Sequence, residues 1–273
     1  MYVSEIFYSI QGEGLRMGHP SVFVRFFGCN FRCPGFGCKR GELSKEPDEI
    51  ANYVCQNKEK FPTYDSLPLA KTGCDSYPSW HPKLKCYSKD MDVHMLYNEI
   101  LKVVPDDVNT NDIDIVFTGG EPLLPGTQKF LEQFFNEYED FLKSFSCVTF
   151  ETNGTQDIRI DLSRFNVVLS VSPKLSVSGV PRDKAIRPDV ITSYSKKHKM
   201  YLKFVVSDPC DVDEVCDIIN TLDFKPDVYI MPEGGTEERY NENMKKVANI
   251  AMSKGFIFCP RLHVTLFGNS WNS

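Results

Sequence analysis

The chain has 273 residues, 41% of them apolar and 25% charged, the balance of one large domain able to bury a sizeable core. A formal net charge of -6 argues against coating nucleic acid, which needs a basic surface to release counterions. No stretch is long and apolar enough to span a bilayer, and Met1–Ile10 carries Glu5 and lacks a basic start followed by an apolar run. The expectation is a cytoplasmic protein with neither a membrane nor nucleic acid as a direct partner.

Short apolar runs alternate with helical patterns. Strands are expected at Val22–Phe27, Ile113–Phe117, Val148–Glu151, Val167–Val171, Tyr201–Val206 and Val228–Met231, each rich in Val, Ile, Phe or Tyr and ending at a turn residue. Between them Thr127–Phe145 repeats Phe130, Phe134, Tyr138, Phe141 and Phe145 at helical spacing, and Asp211–Leu222 and Thr236–Lys254 read as amphipathic helices. This alternation implies an α/β fold with a parallel sheet. Six units fit a partial (β/α)6 barrel, with a doubly wound open sheet as the competing arrangement. Residues 39–92 break the rhythm with Pro47, Pro62, Pro68, Pro78 and Pro82 and only a weak helical pattern at Asp48–Lys58. They read as a loop region inserted within a single domain spanning 1–273, folded over the site.

The ten cysteines, in a reducing compartment, point to metal or redox chemistry where they cluster. Six lie between residues 29 and 86, while Cys147, Cys210, Cys216 and Cys259 are scattered and read as buried inert thiols. Cys29 and Cys33 follow the first strong strand and can reach one iron–sulfur cube. The third ligand is Cys38 or Cys74. A zinc site on Cys29, Cys33 and Cys38 is the alternative by spacing alone. Polar segments fall at successive strand ends: Thr118-Gly119-Gly120-Glu121-Pro122, Glu151-Thr152-Asn153-Gly154 and Ser172-Pro173-Lys174. In parallel α/β folds that edge binds ligands. Without further context Gly119-Gly120 would serve a plain turn, Glu151 a helix cap, Arg25 a surface ion pair, and His263 a structural place on a strand.

Taken together, Phe7–Gly14, Pro20–Phe26, Gly28-Cys29-Asn30, Thr118–Pro122, Glu151–Thr155 and Ser172–Lys174 resemble the 7-carboxy-7-deazaguanine synthase family of the radical S-adenosylmethionine (SAM) superfamily. The resemblance runs from about residue 3 to the end, interrupted by 39–92. It implies a [4Fe–4S] cluster, SAM and magnesium as cofactors. The implied reaction converts 6-carboxy-5,6,7,8-tetrahydropterin to 7-carboxy-7-deazaguanine with loss of ammonia, for 7-deazaguanine bases in tRNA or DNA. The family's third cysteine precedes Asp and then Thr or Ser; Cys74 precedes Asp75-Ser76, whereas Cys38 precedes Lys39-Arg40. The resemblance therefore assigns Cys29, Cys33 and Cys74 to the cluster, leaves 34–73 as a loop between ligands, and gives Ser76 to magnesium. It implies SAM contacts from Gly119, Gly120, Glu121, Glu151, Ser172 and Lys174, and substrate contacts from Gln11, Gly12, Glu13, Arg25, Thr118 and His263. It also implies a reductant such as flavodoxin and a homodimer. Rival readings are a glycyl-radical activase, against which Gln11–Gly14 and Asp75-Ser76 argue, and a non-catalytic zinc-stapled binding module.

Overall fold

The computed structural model describes residues 1–272. They form one open nine-stranded sheet, ordered β3-β1-β2-β4-β5-β6-β7-β8-β9. The strands are β1 (Tyr2–Ile10), β2 (Pro20–Phe26), β3 (Lys89–Asp90), β4 (Asp114–Gly119), β5 (Cys147–Thr152), β6 (Val167–Val171), β7 (Lys199–Val206), β8 (Val228–Pro232) and β9 (Ile257–Phe258). From β2 through β9 each neighbour in that order runs parallel, while β1 is antiparallel to both β2 and β3. The parallel strands follow one another without the reversal that a doubly wound sheet requires. Strands β6 and β8 are buried along their whole length, as parallel strands covered on both faces must be.

All six expected strands are present, with bounds shifted by a few residues. Strands β1, β3 and β9 were not anticipated. The expected helix over Thr127–Phe145 is two, α3 and α4 below, because the backbone breaks at Tyr138 (φ -120°, ψ 38°). There the Tyr138 ring stacks on Tyr97 at 4.3 Å. The helices in chain order are α1 (Glu46–Gln56), α2 (Val93–Val103), α3 (Pro125–Glu137), α4 (Glu139–Ser144), α5 (Arg182–Ala185), α6 (Pro188–Ser195), α7 (Pro209–Ile219), α8 (Glu237–Lys254) and α9 (Leu262–Phe267). No helix crosses between β5 and β6. His263 lies on α9, not on a strand. Of the scattered cysteines, Cys147 and Cys259 are buried as expected, but Cys210 is exposed in the first turn of α7. No helix among the described residues is long and apolar enough to cross a membrane.

Residues 39–92 are more ordered than their prolines led one to expect. Helix α1 and four 3-10 turns gather a small core of Ala51, Val54, Tyr64, Leu67, Ala70, Tyr77, Trp80 and Leu84, separate from the main one. Trp271 closes it from the far side: its indole N–H donates to the Leu67 carbonyl at 2.6 Å, and its ring meets Tyr64 edge-on at 5.3 Å.

Candidate active site

One cleft gathers the carboxyl ends of β2, β4, β5 and β6, with walls from β7, β8, the end of β1, α9 and residues 71–80. Every candidate residue except Glu121 lines it, Cys74 and Ser76 included; Cys38 does not.

The cysteine loop is fixed by hydrogen bonds to its neighbours. Gly28 N–H donates to the Ser79 carbonyl at 2.7 Å, and the Gly28 carbonyl accepts from Glu121 N–H at 2.8 Å. Asn30 donates to Thr155 Oγ1 at 2.9 Å and accepts from Asn153 Nδ2 at 2.8 Å, which binds the loop to the end of β5. Cys33 takes a left-handed backbone (φ 46°), a strain of about 1 kcal/mol for a residue with a side chain. Burial pushes the Cys29 thiol up to about 11 and the Cys33 thiol to about 12, and holds Cys74 well above its ordinary range. Lys174 pulls the other way on Cys29 and Cys33. Three thiols held neutral in one cleft, Cys33 buried and Cys29 and Cys74 half-buried, fit a group that brings its own positive charge, because a bound metal deprotonates its thiols outright. Trp80 lies against Cys74, and its indole N–H is buried without a partner among the described residues. A thiolate sulfur there would accept it. Among the described residues no three His, Cys, Asp or Glu side chains converge for a single metal ion; a cube spreads its thiolates more widely than one ion does.

Cys38 is held elsewhere. The peptide of Gly37 is gripped on both edges: its N–H donates to Glu233 Oε1 at 2.7 Å, and its carbonyl accepts from Arg239 Nη1 at 2.8 Å. Glu233 and Arg239 are themselves paired at 2.8 Å. Just beyond this clamp the Cys38 sulfur turns back to the Pro34 carbonyl at 3.8 Å.

On the side of the cleft expected to take SAM, Gly119 and Gly120 lie against the cysteine loop. A Cβ on Gly119 would meet the Phe26 carbonyl at 2.3 Å, and one on Gly120 the Gly28 carbonyl at 1.9 Å. Only glycine permits that approach. Lys174 donates to Ser172 at 3.1 Å, and Ser172 N–H ties β6 to the Thr152 carbonyl at 2.7 Å. Glu121 corrects an expectation. It is fully buried, and its carboxylate accepts from Leu123 N–H, Thr152 Oγ1 and Asn153 N–H at 3.0, 2.8 and 2.7 Å. It braces the turn after β4 against β5 and offers no oxygen to the cleft. Glu151 caps no helix, since none follows β5. It accepts from Thr118 Oγ1 at 2.8 Å and Gln11 Nε2 at 3.3 Å.

The opposite wall is built on ion pairs. Arg25 donates to Glu5 at 3.0 Å and to Ser76 Oγ at 3.4 Å, and Ser76 donates to Asp75 at 3.2 Å. Gln11 Oε1 accepts from Glu13 N–H at 3.1 Å. Glu13 is paired with Lys203, with Arg261 Nε at 3.3 Å, and lies 4.0 Å from His263 Nε2. Burial alone would raise its carboxyl, but the charges of Lys203, Arg261 and His263 hold it far below the usual range. Arg261 also reaches Asp75 at 3.2 Å and the Gly234 carbonyl at 2.9 Å. His263 packs so closely on Gly12 that a Cβ there would fall 2.0 Å from Nδ1. Lys203 and Arg261 were missed from sequence. A Lys between the buried Leu202 and Phe204, in the middle of a largely apolar strand, was the available signal for the first.

A sequential parallel sheet with Cys29 and Cys33 after β2, Cys74 from residues 71–80 beside them and a close glycine turn after β4 is the arrangement of a radical SAM type of enzyme. No protein-family model matches the chain. A curated 7-carboxy-7-deazaguanine synthase from Halobacterium salinarum is 32% identical over 98% of this chain and 91% of its own, and one from Pyrobaculum aerophilum is 28% identical over 98% and 95%. The crystal structure of QueE from Escherichia coli superposes with a TM-score of 0.59 at 18% identity, covering 96% of this chain and 94% of that one, a likeness of fold. The chain belongs to the 7-carboxy-7-deazaguanine synthase family.

Proposed function

We propose that this chain converts 6-carboxy-5,6,7,8-tetrahydropterin to 7-carboxy-7-deazaguanine with loss of ammonia, by radical SAM chemistry in 7-deazaguanine biosynthesis. The observation that carries the reading is the meeting of Cys29, Cys33 and Cys74 with Gln11, Glu13 and Arg25 in one cleft. A [4Fe–4S] cluster on those cysteines would supply the electron for reductive cleavage of SAM. Gly119 and Gly120 present backbone to SAM, while Ser172 and Lys174 take its carboxylate and Glu151 its ribose. Glu13 and Gln11 take the aminopyrimidinone edge of the pterin, Arg25 its carboxylate, and Gly12, Thr118 and His263 shape its bed. Residues 71–80 and α9 keep water from the reacting ring.

The finer assignments rest on the same reading. The open sheet curves as a partial barrel around the shared cleft, and residues 39–92 are an insertion in a single domain. Ser76 Oγ beside Asp75 offers the hard oxygen donors magnesium prefers, and such an ion needs only one or two protein ligands. Replacing Ser76 by alanine is then expected to raise the magnesium concentration for half-maximal rate at least roughly tenfold while leaving iron content unchanged. Equal magnesium dependence in the variant would reject the site. A small electron carrier such as flavodoxin is the fitting reductant, a homodimer the working unit and the cytoplasm the compartment.

Anaerobically reconstituted protein given SAM, reductant, magnesium and the carboxypterin is expected to form the deazaguanine, read by mass. Release of 5′-deoxyadenosine without that product would reject the substrate. A colourless protein holding zinc and no iron would reject the class.

A further inference from the structure

Lys203 lies on a strand whose neighbouring residues, Leu202 and Phe204, are fully buried. Its ammonium is almost wholly enclosed, yet it lines the cleft and is paired with Glu13. Burying a charge is costly unless it is matched, so a buried lysine opposite a substrate-facing carboxylate calls for a reason. Glu13 orients its neighbour too: its N–H holds Gln11 Oε1, while Gln11 Nε2 gives one of its two hydrogens to Glu151.

A protonated carboxyl can donate as well as accept, whereas an ionised one only accepts. Lys203 and Arg261 occupy one lone pair on each Glu13 oxygen and leave the others for a ligand. Resting on the pterin reading above, we propose that Lys203 determines specificity: it pins Glu13 as an acceptor, so the cleft takes a 2-amino-4-oxopyrimidine edge and rejects a 2,4-dioxopyrimidine edge. The first edge presents two adjacent donors, N3–H and the 2-amino group, to the two oxygens. The second presents one donor beside a carbonyl, and sets lone pair against lone pair. Discrimination of this kind, by polar groups left unpaired, is far stronger than an apolar pocket achieves.

The other charged and titratable groups about Glu13 are Arg261 and His263 from the α9 segment and Cys259 after β9, with Glu151 on β5 and Tyr201 on β7 facing Lys203. Arg261 also serves Asp75 and the Gly234 carbonyl, and burial lowers His263 towards its neutral form. Lys203 is therefore the cation committed to Glu13. Without it the carboxyl rises, and acid converts Glu13 from acceptor to donor.

The test is fluorescence titration of 6-carboxypterin and 6-carboxylumazine, stable analogues with the two edges, between about pH 5 and about pH 7, below the range in which their ring N–H groups ionise. It needs neither cluster nor turnover. Wild-type protein is expected to prefer the pterin by at least ~100-fold, with no dependence on pH. Lys203→Met is expected to bring the two within roughly tenfold at the acid end and to regain preference for the pterin as pH rises, and Lys203→Arg to restore the flat profile. Glu13→Gln, which removes no cation and offers one donor and one acceptor, is expected to lose discrimination at every pH. A Lys203→Met protein that keeps the wild-type ratio across the range overturns the proposal. Wild-type protein that binds neither compound overturns the pterin reading, and this inference with it.

Discussion

Cys74→Ala is expected to abolish iron–sulfur loading, while Cys38→Ala reconstitutes with the iron content of the wild type. The two thiols differ in surroundings and not only in distance along the chain. Cys74 is half-buried, lies near Cys29 and Cys33 in the cleft and has the buried Trp80 indole against it. Cys38 faces Glu42, Glu46, Glu233 and Arg239, a carboxylate-rich surface that disfavours a thiolate. To bring it inward, the grip of Glu233 and Arg239 on the Gly37 peptide would have to be undone. That forfeits two hydrogen bonds to charged groups, about 3 kcal/mol or more in all. Iron per chain and the absorbance of the brown protein read the result. Loss of iron in Cys38→Ala alone would reverse the ligand assignment.

Gly120→Ala has the next largest expected effect, and of a different kind. The added methyl carbon would stand 1.9 Å from the Gly28 carbonyl and 3.0 Å from the Cys29 Cβ. The first obstacle is backbone, so no side chain can swing aside. Either the turn after β4 or the Gly28–Cys29 peptide must move, and both are tied to each other by Glu121 N–H and to Phe26 by Gly120 N–H. An overpacking cost of about 3 kcal/mol is expected, seen as a fall of several degrees in melting temperature even in metal-free protein. Reconstituted variant should hold less iron and release little 5′-deoxyadenosine. Gly126→Ala, with nothing within 4 Å of its added carbon, is the control expected to match wild type.

The parallel part of the fold was legible because buried parallel strands read as apolar runs, and β4 to β8 are such runs. Strand β1 was not: Tyr2–Ile10 mixes Ser4, Glu5 and Ser9 into its alternation, and it owes its place to antiparallel pairing with β2. Strands β3 and β9, two residues each, carry no periodic signal. In the cleft, motifs located thiols, glycines and polar strand ends, because those chemistries constrain residue type. They could not tell which way a side chain points, so Glu121 was placed on the ligand side when it braces two strands from beneath. Nor could they find Arg261, whose partners Glu13, Asp75 and Gly234 are remote in sequence. Residues 39–92 read as irregular because only Ala51 and Val54 of their small core come from a helix, α1, and the rest from 3-10 turns and loops that leave no stripe.

That small core has a consequence for how the three thiols are held. The first two sit on a loop fixed by β2 and its parallel neighbours. The third is delivered by a module whose core is closed by Trp271, 204 residues beyond the Leu67 carbonyl it binds. On the proposed ligand set, removing the Trp271 ring is therefore expected to loosen the module around Cys74 while the loop bearing Cys29 and Cys33 keeps its own ties to Glu121, Asn153 and Thr155.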